Sequence, residues 1–373
     1  MNIIKKKVGL VGWRGMVGSV LLKRMIKKKD FNKFISIFFS TSEVGKKNPF
    51  NFSYSNKILK DAYNIEELKE LDIIITCQGS AYTNKIYPLL RFSGWSGYWI
   101  DAASDLRMKK DSLIILDPIN KKNIINSINN GIKTFVGGNC TVSLMMLALG
   151  GLFKNNLIEW ISFSTYQAAS GGGSGYILEL LKQMKYLNKS LLNNLKNLES
   201  ILNVEKILTK ITKNDSFPTN FSIVPLIINL IPWIDSSLKN GQSKEEWKME
   251  SETNKILCRS NTNKILIDGT CVRVNSLRCH SQSFLIKLKK NINLNEIEKI
   301  ISNHNKWVRI IPNNKEFSMK KLTPLSVTGT LNIPIGRIRK LSLGPKYLSA
   351  FSIGDQLLWG AAEPLRRMLK FLI

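Results

Sequence analysis

The stretch KKKVGLVGWRGMVGSVLLKRMIKK, residues 5–28, decides the fold. Residues 8–11 are short and apolar, as a parallel strand buried on both faces should be. Gly12, Gly15 and Gly18 then interrupt the run, and residues 19–29 bring apolar side chains back at helical spacing. A strand, a G-x-x-G-x-x-G turn and a helix, in that order, let backbone N–H groups and the positive end of a helix approach a pyrophosphate. The other reading of the same glycines is a tight turn with no ligand.

Outward from this unit, strand-like runs recur at 34–39, 71–76, 98–100 and 113–116, with helix-like segments such as 65–71 between them. Alternating strands and helices predict an α/β, doubly wound (Rossmann-type) parallel sheet with right-handed crossovers. From about residue 138 the character changes. Residues 141–153 read as a buried helix and 161–167 as a strand ending in the glycine-rich 170–175. Residues 176–213, rich in Leu, Asn and Lys, read as largely helical. Runs at 271–274, 282–288 and 326–330 suggest strands of a second sheet, and 354–372 a long helix returning to the first domain. The expected division is 1–138 plus 356–373 as a dinucleotide domain, with 139–355 as a second, α+β domain.

Composition bounds the function. At 373 residues the chain is long for one domain and comfortable as two. With 43% hydrophobic and 9% aromatic residues it can bury a sizeable core. No apolar run reaches the roughly 18 residues of a membrane span, and the start lacks the pattern of a secretory signal. Five cysteines without a CxxC pair point to reduced thiols in the cytoplasm, and two histidines give little support to a metal site. The net charge of +28 raises nucleic acid or an anionic membrane as partners. However, 43 of the 55 basic residues are lysines scattered among Asn and Ile, a pattern of solvent-facing drift more than of a binding face. A site for anionic substrates would gain from the charge in either case.

Three segments carry chemistry. The second strand ends in Phe38-Phe39-Ser40-Thr41-Ser42, without an acidic residue at its end to hold the ribose 2′-hydroxyl of NAD. Thr41 and Ser42, with Arg14 from the glycine turn, suit a 2′-phosphate and favour NADP; the competing reading makes Arg14 a solvated loop cation. In Gly137-Gly138-Asn139-Cys140-Thr141, a cysteine opens an apolar helix, where free N–H groups and the helix dipole favour a thiolate. A thiolate is the nucleophile that aldehyde oxidation through a thioester requires. Asn139 would donate to the developing oxyanion. A cysteine in a buried helix is also often plain packing. For a base the choice is His280 or His304. His280 stands in a strand-like segment with Arg273 and Arg278, whereas His304 reads as a solvated helix end. Arg273 would clamp a carboxylate or, alternatively, pair with an acid on a sheet face.

Taken together, GWRGMVG, FFSTS, DIIITCQG, GYWIDAAS, ILDPIN, TFVGGNCTVSLM, TYQAASGGG, EEWK, ETNKIL, CVRV, RCHSQ and DQLLWGAAEPLRRML resemble the aspartate-β-semialdehyde dehydrogenase family, in its longer form from Gram-negative bacteria. The motifs lie in family order over nearly the whole chain. The resemblance implies Cys140 as nucleophile, His280 as general acid/base and Gln167 as a residue that orients substrate. It implies Arg273 on the substrate carboxylate, Glu246 near its amino group, and Arg107 and Lys248 on phosphate. NADP contacts would fall to Gly12, Arg14, Gly15, Met16, Val17, Thr41, Ser42, Gln78, Ser170, Gly171 and Gln356. It implies a homodimer joined through the second domain, aspartyl phosphate, aspartate semialdehyde and inorganic phosphate as reactants, and no metal. Segments 176–213 and 258–267 match no family motif. The rival readings are a dehydrogenase of another acyl phosphate, an inactive copy, and a basic nucleic-acid-binding protein, the last opposed by the dispersed lysines.

Overall fold

The first strands form because short apolar runs with β-branched residues bury both faces in a parallel sheet. The computed structural model describes residues 5–192 and 200–373. Strands β1 (Lys7–Val11), β2 (Ile35–Ser40), β3 (Lys60–Asp61), β4 (Ile73–Thr76), β5 (Tyr98–Asp101), β6 (Ser112–Ile115) and β7 (Thr134–Gly137) assemble in the order β3-β2-β1-β4-β5-β7-β6. Every pairing is parallel. The order reverses direction at β1, so the crevice at its carboxyl end is the expected ligand position. There the helix Met16–Lys27 starts with Gly15 as N-cap. Gly12 turns at φ +72°, and a side-chain carbon on it would stand 2.5 Å from the Cys77–Gln78 peptide.

The second sheet is mixed. Its strands are β8 (Ile158–Gln167), β9 (Leu230–Ile231), β10 (Leu266–Val274), β11 (His280–Leu288), β12 (Val308–Ile310), β13 (Ile333–Leu341) and β14 (Gly344–Gly354), in the order β12-β13-β14-β11-β8-β10-β9. The helix Cys140–Lys154 buries every residue from Thr141 to Phe153 and shares one hydrophobic core with this sheet. An apolar helix without a polar face needs such enclosure. The expected helical segment 176–213 divides: helices run Ser174–Leu192 and Ile201–Thr212, and residues 193–199 lie outside the described residues.

Two expectations are corrected. Residues 326–330 are not a strand. Thr323-Pro324 begins a short helix, Pro324–Val327, followed by a turn through Gly329 at φ +77°, because proline suits a first helical turn and removes a strand donor. Nor is 354–372 one helix. β14 runs to Gly354, the Asp355 carboxylate gathers the N–H groups of Leu357 and Gly329, and a π-type turn, Leu358–Ala362, precedes the α-helix Glu363–Leu372. That last helix does return to the first sheet, where Leu365, Met368, Leu369 and Leu372 join Val8, Leu10, Ile73 and Phe135 in one core. Arg366, buried in that junction, donates to Asp30 and Glu363, each at 2.8 Å.

Candidate active site

Register places the site residues. β10 runs parallel to β8 with Arg273 opposite Gln167, and β11 begins at His280 opposite Gly354. The ends of these strands face the start of the helix Cys140–Lys154. The result is a cleft of about 530 Å³ lined by Cys140, Asn139, Gln167, Arg107, Lys248 and Arg273, together with Val17, Ser170, Gly171 and Gln356. A second cleft of about 370 Å³ is lined by Gly12, Arg14, Gly15, Thr41, Ser42 and Gln78. The chain passes from one to the other at residues 15–17 and 78–79, so a dinucleotide can lie across both. Met16 is the first residue of the intervening helix and lines neither cleft. The donor set of the second cleft fits a phosphate: Arg14 reaches the Ser42 hydroxyl at 2.7 Å, and Gln78 donates to the Thr41 hydroxyl at 3.4 Å.

The thiol of Cys140 departs from expectation. Burial and the Glu245 carboxylate push it up to about 12, against the pull of Arg273, Arg107 and Lys248. Burial is the main cause, and Cys140 rests as a thiol. The Asn139 side-chain oxygen also takes the N–H groups of Thr141 and Val142, so these first-turn donors are already satisfied. The same contacts revise Asn139, whose amide nitrogen donates to both oxygens of Glu245 at 3.0 and 3.1 Å. It is a cap and a tether that ties the helix start to the Glu245 carboxylate.

Glu246 is also corrected. Ser243-x-x-Glu246 is a capping box: the Glu246 carboxylate accepts the Ser243 N–H at 2.7 Å and the Cys271 N–H at 3.0 Å. The cleft receives Glu245 instead, which Lys248 joins at 3.0 Å on the same helix face. The signal is present in the sequence. Spacing of three puts Glu245 beside Lys248, and the S-x-x-E pattern assigns Glu246 to the cap. Despite burial, Lys248 above all, with the Asn139 and Gln167 amides, holds the Glu245 carboxyl below its ordinary range. Two further acids are given no role by the sequence, although Glu252 opens the ETNKIL motif. Asp235 holds Lys248 at 2.7 Å, and Glu252 receives Arg107 at 3.0 Å and the Asn139 N–H at 2.7 Å.

His280 lies fully buried behind Gly171, whose added side-chain carbon would meet both the imidazole and the Arg273 guanidinium. Its Nδ1 accepts the Ala168 N–H at 3.0 Å, which puts the ring proton on Nε2, and Nε2 has no partner among the described residues. Burial and Arg273 push the ring down to about 3, so the expected imidazole near neutrality is instead firmly uncharged. In this setting the ring is a hydrogen-bond donor, as a neutral histidine can be beside a developing oxyanion. The preceding residue, Cys279, is held at φ +78° with its N–H on Gln356 Oε1 at 2.8 Å, so Gln356 sets the entry into β11. His304 is not a solvated end. Its ring is half-buried against Gly150 and meets the Asn305 amide at 3.1 Å.

A neutral buried histidine has a signature in stability. Its folded pKa is depressed below the unfolded value, so the unfolded chain binds the proton first and stability is lost as pH falls below about 6.5. Going from pH 7 to pH 5, wild type should lose about 2 kcal/mol relative to His280→Gln. Urea unfolding at the two pH values measures it; an unchanged difference would mean that the ring is charged in the folded state.

Comparisons with known proteins agree with this geometry. Residues 7–127 match the family model "Semialdehyde dehydrogenase, NAD binding domain" and residues 149–359 match "Semialdehyde dehydrogenase, dimerisation domain". The aspartate semialdehyde dehydrogenase of Francisella tularensis is 49% identical, with 98% of this chain and 99% of that chain covered and a TM-score of 0.94. At 22% identity, the aspartate semialdehyde dehydrogenase II of Vibrio cholerae, solved in complex with ASA, shares the fold at a TM-score of 0.79, covering 99% and 98%. The Candida albicans enzyme solved with NADP does so at 15% identity and 0.65, over 99% and 98%. With both family models matched in order around one cysteine-bearing cleft, the chain belongs to the aspartate-semialdehyde dehydrogenase family.

Proposed function

We propose that this chain catalyses the reversible, NADP-dependent reductive dephosphorylation of L-4-aspartyl phosphate to L-aspartate 4-semialdehyde through a thioester at Cys140. The observation that carries this reading is the charge around the thiol: Arg107, Lys248 and Arg273 with Glu245 in one cleft. The three cations complement the phosphate and carboxylate of the substrate and Glu245 its ammonium, while Asp235, also in the lining, is paired to Lys248. Arg273 binds the carboxylate; beyond its bond to the Ala168 carbonyl its guanidinium has donors to offer. Glu245 takes the ammonium, a role that passes to it from Glu246. Arg107 and Lys248 bind the phosphate, and Gln167 orients the acyl group.

In the biosynthetic direction Cys140 Sγ attacks the acyl carbon and the bond to phosphate breaks. The thiol proton leaves on the phosphate, so that a thiol of high pKa need not ionise beforehand. The thioester carbon is then reduced by a hydride that NADPH would supply when bound in the cleft. The His280 Nε2–H hydrogen-bonds the oxygen as charge gathers there, without giving up its proton. Collapse of the hemithioacetal oxyanion releases the aldehyde and the Cys140 thiolate, which takes a proton from solvent. Service as a proton acceptor would require Nδ1 first to release the Ala168 N–H. Gly12, Gly15, Met16 and Val17 would hold the pyrophosphate, Arg14, Thr41 and Ser42 the 2′-phosphate, and Gln78, Ser170, Gly171 and Gln356 the nicotinamide end. Residues 1–138 with 356–373 hold the cofactor and 139–355 carry catalysis and a homodimer contact. The enzyme serves lysine, threonine, methionine and diaminopimelate synthesis in the cytoplasm, with no nucleic-acid partner.

The test is NADP⁺ reduction at 340 nm by the purified chain with L-aspartate-β-semialdehyde, with and without phosphate. Turnover that requires phosphate is the expected result. Folded protein that turns over no substrate, or does so equally without phosphate, would sink the proposal.

A further inference from the structure

We propose that Glu43 sets how strongly this chain prefers a 2′-phosphorylated dinucleotide, by holding the Arg14 guanidinium that the phosphate would use. The inference rests on the NADP reading above. The end of β2 carries no acid in line, but the following turn brings one back. The Ser40 hydroxyl accepts the Ser42 N–H at 3.3 Å and the Glu43 N–H at 2.9 Å, folding residues 40–43 tightly. Glu43 Oε2 then meets Arg14 Nη1 directly, while Arg14 Nη2 donates to the Ser42 hydroxyl at 2.7 Å. Lys46 reaches the other Glu43 oxygen at 3.1 Å, and together these cations hold the Glu43 carboxyl below its usual range.

A dianionic 2′-phosphate on Arg14 must therefore share the guanidinium with a carboxylate, or displace it. Unlike charges within a few ångströms of each other bind; like charges so placed repel. A dinucleotide with a plain 2′-hydroxyl meets no such competition. Glu43 thus lowers the advantage of NADP over NAD while leaving the remaining phosphate contacts alone.

The probes are 2′,5′-ADP and 5′-ADP, which differ only in the 2′-phosphate, titrated calorimetrically into wild type, Glu43→Gln and Arg14→Ala. Wild type should prefer 2′,5′-ADP. Glu43→Gln should bind 2′,5′-ADP about five-fold more tightly at low salt, less so at high salt, and 5′-ADP nearly unchanged. The ratio of kcat/KM for NADP⁺ over NAD⁺ should rise in step. If Arg14→Ala removes the preference but Glu43→Gln leaves it alone, or raises it only by weakening 5′-ADP, the Glu43 inference is overturned and the NADP reading stands. If wild type shows no preference and Arg14→Ala has no effect, the NADP reading itself falls. In the double variant Glu43→Gln/Lys46→Gln the gain should persist; its loss would assign the effect to Lys46 and overturn the role given to Arg14.

Discussion

Cys140→Ala is expected to reduce phosphate-dependent NADP⁺ reduction by about 10⁴-fold or more, with the fold intact. Among the described residues no other side chain in the cleft can form the thioester: the lining holds amides, hydroxyls, cations and carboxylates, but no second thiol. Loss of a nucleophile typically removes nearly all covalent catalysis, leaving only the smaller contribution of binding and electrostatics. The folded state should tolerate the change, since Asn139 caps the helix through its own side chain and alanine keeps the Cys140 Cβ, for which Gly360, lacking a side chain, leaves room. Far-ultraviolet circular dichroism and the unfolding midpoint should match wild type within error. Initial rates at 340 nm decide the matter. A variant that keeps more than about one hundredth of the wild-type rate would remove Cys140 from the mechanism.

The second large effect separates two neighbours. Glu245→Gln should lower kcat/KM for aspartate semialdehyde by about 10²-fold with modest loss of stability. It removes the charge that faces the cleft and leaves Lys248 with Asp235 alone. Glu246→Ala should do the reverse. It deprives the buried Ser243 and Cys271 N–H groups of their acceptor, a loss of about 2–3 kcal/mol, while kinetic constants of the folded fraction stay near wild type. Steady-state kinetics and urea unfolding on both variants check the pair. Reversed results would return the substrate contact to Glu246 and make Glu245 a structural tether.

Much of this architecture is legible in the amino-acid order. The first sheet follows from residues 7–137 because short apolar runs separated by helical spacing admit few topologies. Gly12 is readable because its left-handed turn packs against a neighbouring peptide, as a glycine there must. The strands β13 and β14 give a weak apolar signal, although both lie inside the sheet, because Pro334, Gly336, Arg337, Arg339 and Lys340 interrupt the first and serine, lysine and tyrosine the second. Residues 326–330 mislead because Val and Thr favour strands in isolation, while Pro324 and the Asp355 hook on Gly329 decide otherwise.

What is local or carried by motif is written in the chain: the glycine turn, the cysteine at a helix start, the alternation of strands and helices, and the family. Which partner each polar group meets is settled by folding. Whether Glu245 or Glu246 faces the cleft, whether Cys140 is a thiol, whether His280 is neutral and whether Arg14 is free all depend on burial and on residues distant in the chain. Ionisation and hydrogen bonding respond to the field and solvent at a point in space, and the chain assembles that point only when folded.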